Sequence, residues 1–340
     1  MKHTLQLIFL LFLSSIITAQ TVGGNAAFSF MGLSNAAQVS ALGGVNVSAM
    51  SNDVSYSFNN PALLRKEQQQ QTNASFNNFL AGIKNYSLTT AFYAEKPAIT
   101  WGIGINYLSY GSIAQTDAIG NVYGTFIPND YVAQVMVSKQ YKERFWLGAS
   151  LKYISSNYGI YKSNAVATDI GVSYLDSSNY LQISLVAKNI GTQLQNYTGT
   201  STKEELPFDI QLGITKRLAK APIQFSLTGH HLQQLVITYN DSTFNANEGN
   251  MQQVKTLDKI LSHLVFASQI FLGDKLELAI GYNFLRAKDL SAYGLTNSLN
   301  GFSMGVGIKF KKLQINYGTG FYQRNLFHQI GLNFNWKGEL

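Results

Sequence analysis

The sequence predicts an all-β fold: a transmembrane antiparallel β-barrel of about 14 strands with an N-terminal hatch or plug. Three observations predict it. From about residue 70 onward, segments of roughly ten residues alternate apolar and polar, as strands do when one face meets lipid and the other a polar lumen. Only 13% of the 340 residues are charged, about half the share of a soluble domain, while 13% are aromatic, with 19 Tyr and 21 Phe. Connections between the segments alternate short and long, the outer-membrane arrangement with short turns in the periplasm.

Residues 1–19 read as a secretory signal peptide. Lys2 supplies the charged start, 5–13 the apolar core, and small residues lead to a cut after Ala19. That core is too short for a spanning helix, and no later run approaches the required length. A mean hydropathy of −0.01 likewise excludes a helical membrane bundle. With no cysteine, an exported chain has no disulfides and needs another source of stability; a closed hydrogen-bond ladder supplies one. The formal charge of +7 suits attraction to anionic lipopolysaccharide or an acidic partner, but the cations are dispersed along the chain, which favours a mildly basic lumen and turns.

Residues 20–69 precede the alternating segments and differ from them. The stretch 36–64 is rich in small residues, with Gly43-Gly44 at its middle and Asn59-Asn60-Pro61-Ala62 near its end. Pro61 cannot donate to a ladder and biases Asn60 toward an extended or turn conformation. A compact, irregular element results, expected to sit inside the barrel. Asp53 and Asn60 are assigned to holding it, since short polar side chains satisfy nearby backbone groups, and Gly43 and Gly44 to close approach.

The residues ALGG (41–44) and NPALL (60–64) resemble the N-terminal hatch of the long-chain fatty-acid transporter superfamily of outer-membrane barrels. Gly23-Gly24, the run FSFMGL (28–33) and the chain length narrow the resemblance to the branch used by the type IX secretion system. That resemblance implies a membrane anchor, with a PorZ-like surface protein of the attachment machinery as partner, alongside outer-membrane lipid and lipopolysaccharide. Gly43, Gly44, Asp53, Asn60, Pro61 and Ala62 carry the hatch motif.

The barrel proper is expected over 70–336, with a tail at 337–340. Its strands fall near 72–80, 86–94, 98–109, 130–140, 144–156, 164–174, 180–189, 208–217, 222–232, 262–272, 276–286, 302–311, 313–321 and 327–336. In Thr100 to Tyr107, Trp101, Ile103, Ile105 and Tyr107 share one face, with Gly102, Gly104 and Asn106 on the other. The last strand sets Ile330, Leu332, Phe334 and Trp336 against Gln329, Gly331, Asn333 and Asn335. Long loops at 110–129, 190–207, 233–261 and 287–301 fall on the outer side. Within the longest, Met251, Val254, Leu257, Ile260, Leu261 and Leu264 repeat at helical spacing.

No catalytic constellation, metal set or cofactor motif emerges. His230 and His231 are adjacent in an expected strand, which would turn them to opposite faces and keep them from one metal. The inward acids Asp130, Asp169, Asp209 and Glu277 are spread over separate strands, with Lys152, Lys188 and Lys309 facing the same way. Basic residues are not interleaved with aromatics as nucleic-acid binding requires. Two functions remain. One is docking within type IX secretion through the long outer loops. The alternative is transport of hydrophobic small molecules such as fatty acids, with Phe28, Phe30, Met31, Leu33, Tyr56 and Phe58 as apolar hatch residues; a bulge or glycine kink in a strand beside the hatch would favour it.

Overall fold

The computed structural model describes residues 26–199, 202–237, 255–290, 298–323 and 325–337. The expected signal peptide and nearly all of the expected tail lie outside them, as do Met251 and Val254.

Fourteen strands close into a ring. They are β1 (Gln71–Asn78), β2 (Lys84–Ala94), β3 (Ile99–Ser109), β6 (Asn129–Tyr141), β7 (Phe145–Tyr158), β8 (Tyr161–Asp176), β9 (Leu181–Gln195), β10 (Asp209–Arg217), β11 (Ile223–Gly229), β12 (Leu264–Leu272), β13 (Leu276–Asn283), β14 (Phe302–Lys309), β15 (Leu313–Tyr322) and β16 (Asn325–Asn335). Each pairs antiparallel with its chain neighbours, and β1 meets β16 with Gln71 opposite Asn335. Closure leaves no unpaired edge, the condition for crossing lipid with strands.

The alternation sorts as expected. Leu88, Trp101, Ile103, Leu185, Leu212, Ile280 and Leu332 are exposed outward, while Asn73, Asn106, Gln134, Thr215, Ser303 and Asn333 are buried inward. Connections at one end, the expected periplasmic one, are no longer than 218–222; the other end carries 110–128, 196–208, 230–263 and 284–301.

Three elements depart from the sequence expectation. The loop after β3 holds a two-stranded hairpin, β4 (Ile113–Thr116) and β5 (Val122–Phe126), outside the ring. Strand β13 stops at Asn283, because Asn283 Oδ1 accepts from Arg286 N and caps a short helix at Phe284–Asp289. Strand β9 runs on to Gln195 through an irregular register. Of the expected helical repeat, Leu257, Ile260 and Leu261 lie in a helix at Thr256–Ser262, whereas Leu264 opens β12.

Inside the ring lies the segment 26–70. Its helix α1 (Ala37–Ala41) packs on β13, β14, β15 and β16, and its 3₁₀ turn Pro61–Leu63 on β6, β7 and β8. A helix of five residues has too few hydrogen bonds to hold alone; burial against the wall holds it.

Candidate functional site: an aromatic cavity above the inner segment

The inner segment is seated on glycines. A Cβ at Gly148 of β7 would stand 2.2 Å from Ala62 N and 2.3 Å from the carbonyl carbon of Pro61. At Gly171 of β8 it would stand 2.2 Å from Asn60 Oδ1, at Gly281 of β13 2.3 Å from Gly43 N, and at Gly318 of β15 2.2 Å from Ala37 O. Only side-chain-free wall positions admit a backbone this close. In the sequence Gly281, like Gly102, Gly104 and Gly331, reads merely as the polar phase of the alternation, and Gly148, Gly171 and Gly318 do not stand out. Their signal was the recurrence of Gly at inward positions on strand after strand.

The hatch-motif residues make the complementary contacts. Asp53 is buried and accepts from Ser55 N at 2.9 Å, Asn73 Nδ2 at 3.2 Å and Asn316 Nδ2 at 3.1 Å, tying the segment to β1 and β15. Asn60 donates to Val47 O at 2.9 Å and accepts from Ala62 N at 3.0 Å, which shapes the turn begun by Pro61. Gly43 has a φ of 92° and its carbonyl accepts from Asn283 Nδ2 at 3.1 Å; Gly44, at φ 85°, donates its N–H to Val39 O at 2.9 Å.

Above the segment, a cavity of about 650 Å³ opens between Ala26, Ala27, Phe28, Ser29 and Phe30 and the outer ends of the wall, a size typical of small-ligand pockets. Tyr110, Tyr158, Tyr161 and Tyr197 line it, with Asp130 and Glu204. Tyr158 and Tyr197 stack at 5.6 Å, Tyr110 meets Tyr158 edge-on at 5.8 Å, and Phe28 lies 6.3 Å from Tyr197. Tyr110 and Tyr158 both donate to Asp130 Oδ2, at 2.6 and 3.0 Å. Burial pushes the hydroxyls of Tyr110 and Tyr197 above the ordinary phenol range, so both stay protonated. Beneath the cavity, Phe28 and Phe30 join Leu108, Val132, Ile154 and Leu206 in an apolar cluster. The start of the segment is fixed here, with Ala27 N donating to Glu205 O at 2.9 Å.

The wall beside this region is irregular. Thr168 pairs with Ile190 and Ile170 with Ala187, so Lys188 and Asn189 of β9 face the single Asp169 of β8. This is a β-bulge, with Asn189 at φ 59°. It is held by Asn189 N donating to Asp169 Oδ1 at 2.8 Å, by the 2.7 Å Lys152–Asp169 ion pair and by Lys152 donating to Asn189 Oδ1 at 2.9 Å. A smaller cavity of about 230 Å³ lies at the bulge, between Met31, Val45 and Asn59 of the segment and Lys188, Asn189 and Pro207.

The remaining inward charges are structural. Lys188 donates to Asn59 Oδ1 at 3.3 Å, Glu277 accepts from Gln269 Nε2 at 2.6 Å, and Lys309 borders a cavity at the short-turn end with Arg65 and Arg217. The histidine expectation is corrected. Strand β11 ends at Gly229, so His230 and His231 lie outside the alternation, and His231 at φ 54° turns its ring back. Their Nδ1 atoms meet at 2.6 Å. Burial first, then the neighbouring His231, push His230 down to about 4, so it is neutral at pH 7. The described residues nevertheless contain no group of three or more side chains able to hold a metal.

Among solved structures, the chain is similar to a deltaS2S3 mutant of the TodX monoaromatic hydrocarbon channel. Identity is 12% over 89% of this chain and 99% of that one, with a TM-score of 0.54. The deltaS2 mutant of the same channel matches at 13% identity over 90% and 98%, with a TM-score of 0.51. What the chain shares with these channels is the β-barrel fold. A Pseudomonas aeruginosa FadL homologue aligns at 9% identity over 89% and 98%, with a TM-score of 0.49. No protein-family model and no curated protein matches the chain. At such identities the likeness is one of fold alone, a closed β-barrel of the kind that crosses an outer membrane with strands.

Proposed function

We propose that this barrel passes small hydrophobic molecules across the outer membrane, with residues 26–70 as its hatch. The observation carrying this reading is the aromatic cavity, open at the outer end, floored by Phe28 and Phe30 and set near a bulged wall strand. An apolar solute leaving water gains roughly 25 cal/mol for each Å² buried there, and the bulge marks the place where the wall departs from a continuous ladder. The neighbouring structures are named as hydrocarbon channels, which agrees with this chemistry.

A second reading is favoured by the outer surface. The β4–β5 hairpin and the β7–β8 turn expose apolar side chains: Ile119 at 85%, Ile160 at 82% and Tyr123 at 64%. Apolar tips outside the lipid band suit a protein partner. With the hatch-motif resemblance, this suggests a PorQ-like component of type IX secretion that docks a PorZ-like surface protein near lipopolysaccharide.

One experiment separates the two. The tagged chain is purified from native outer membranes in mild detergent, and the proteins and small molecules that accompany it are identified by mass spectrometry. Apolar small molecules retained by a chain that emerges alone support transport. A stoichiometric surface protein, with an empty cavity, overturns transport in favour of docking.

A further inference from the structure

The cavity's charge and its aromatic character point to a more specific ligand. Asp130 is 0% exposed. Its Oδ2 accepts from two tyrosines, and Ser156, its cross-strand neighbour on β7, adds a third hydroxyl; all three partners are neutral. Among the described residues it forms no ion pair, and neither Lys nor Arg lines the cavity, where the second charged residue is the acid Glu204. A buried carboxylate ordinarily sits beside a compensating cation. Here the cavity next to it is lined by aromatic rings, those of Tyr110, Tyr158, Tyr197 and Phe28, packed against one another. Aromatic faces around a position near a carboxylate attract an organic ammonium through the ring quadrupole and through direct Coulomb attraction.

Resting on the transport reading above, we propose that this cavity selects small aromatic or alkyl ammonium cations, and that it discriminates against carboxylates such as fatty acids. The apolar body of the ligand lies on Phe28, its charged head among the tyrosine rings on the Asp130 side. A carboxylate in the same place would face Asp130 and Glu204 with no cation to offset the repulsion.

The test uses three soluble probes of one size class on the full chain in detergent, by calorimetric titration: benzyltrimethylammonium, benzyl alcohol and benzoate. The cation is expected to bind about tenfold more tightly than the alcohol, the scale of a desolvated cation–π contact, with benzoate weakest. Asp130→Asn, which can still accept from both tyrosines, is expected to bring the cation down to the alcohol's affinity and leave the alcohol unchanged. Tyr158→Phe keeps the ring and is expected to keep the preference for the cation, which separates a charge effect from misfolding; heat-modifiable gel mobility confirms assembly of each variant. If benzyl alcohol or benzoate binds as tightly as the cation, or Asp130→Asn leaves the ratio unmoved, the cation preference is overturned and transport of apolar molecules stands. If none of the three binds, both readings fall.

Discussion

At the scale of single residues, this protein is governed by what its wall lacks. Gly148 is an instructive case, because the atoms in the way are backbone: Ala62 N and the Pro61 carbonyl carbon, at 2.2 and 2.3 Å from a Cβ there. No rotamer change relieves such a contact, so either β7 or the Asn60-Pro61-Ala62 turn must move. Gly148→Ala is expected to destabilise the folded barrel by about 1–3 kcal/mol, the usual cost of overpacking, read as a lower urea midpoint in lipid. Gly32→Ala is the control, since a Cβ there meets nothing within 4 Å, and its shift is expected to stay within about 0.5 kcal/mol. Equal shifts for the two variants would show that the turn is not seated on Gly148.

At the scale of elements, the ring and the inner segment rest on different physics. Every barrel strand is paired on both sides within the ring, so the ladder does not need the segment. The segment does need the ring, because its helix has only five residues and its buried polar groups find partners on the wall: Asp53 with Asn73 and Asn316, and the Gly43 carbonyl with Asn283. Deleting 26–64 is therefore expected to leave an assembled, heat-modifiable barrel that conducts ions in a planar bilayer, with its polar inner face now wet. The intact chain is expected to conduct far less. Equal conductance from both proteins would show that the segment does not seal the lumen. The same division of labour explains what the sequence shows plainly and what it hides. All fourteen strands are legible because lipid enforces an apolar residue at every second position over their length. The β4–β5 hairpin stands beyond the lipid, loses that enforcement and reads as loop. Strand β13 reads too long because Phe284 continues the alternation while Asn283 is already capping a helix. His230 and His231 read as strand for a similar reason, and only the backbone turn at His231 reveals that their rings meet. The aromatic cavity joins Phe28, Tyr110, Asp130 and Tyr197 from four separate parts of the chain, a juxtaposition that only strand register creates.

At the scale of the whole molecule, the two ends differ in chemistry. Cations that are scattered along the sequence gather in space at the end with the tight turns: Lys66, Lys139, Lys142 and Arg144 border one cavity with Arg65, and Arg217, Lys275 and Lys309 border the next. Arg65 also lies 4.7 Å over the Trp146 ring, a cation–π contact that fastens the exit of the inner segment to β7. The opposite end carries the long connections and the apolar tips of β4–β5. Short turns belong to the periplasm, so the basic rim is expected to face inward and the hairpin to face the medium. Because the chain has no cysteine, single cysteines report this orientation without background. Tyr123→Cys, at the exposed hairpin, is expected to react with a membrane-impermeant maleimide on intact cells. Lys142→Cys, in the turn between β6 and β7, is expected to react only after the outer membrane is permeabilised. The reverse pattern would invert the barrel and put the aromatic cavity on the periplasmic side, where the proposed transport would use it as an exit.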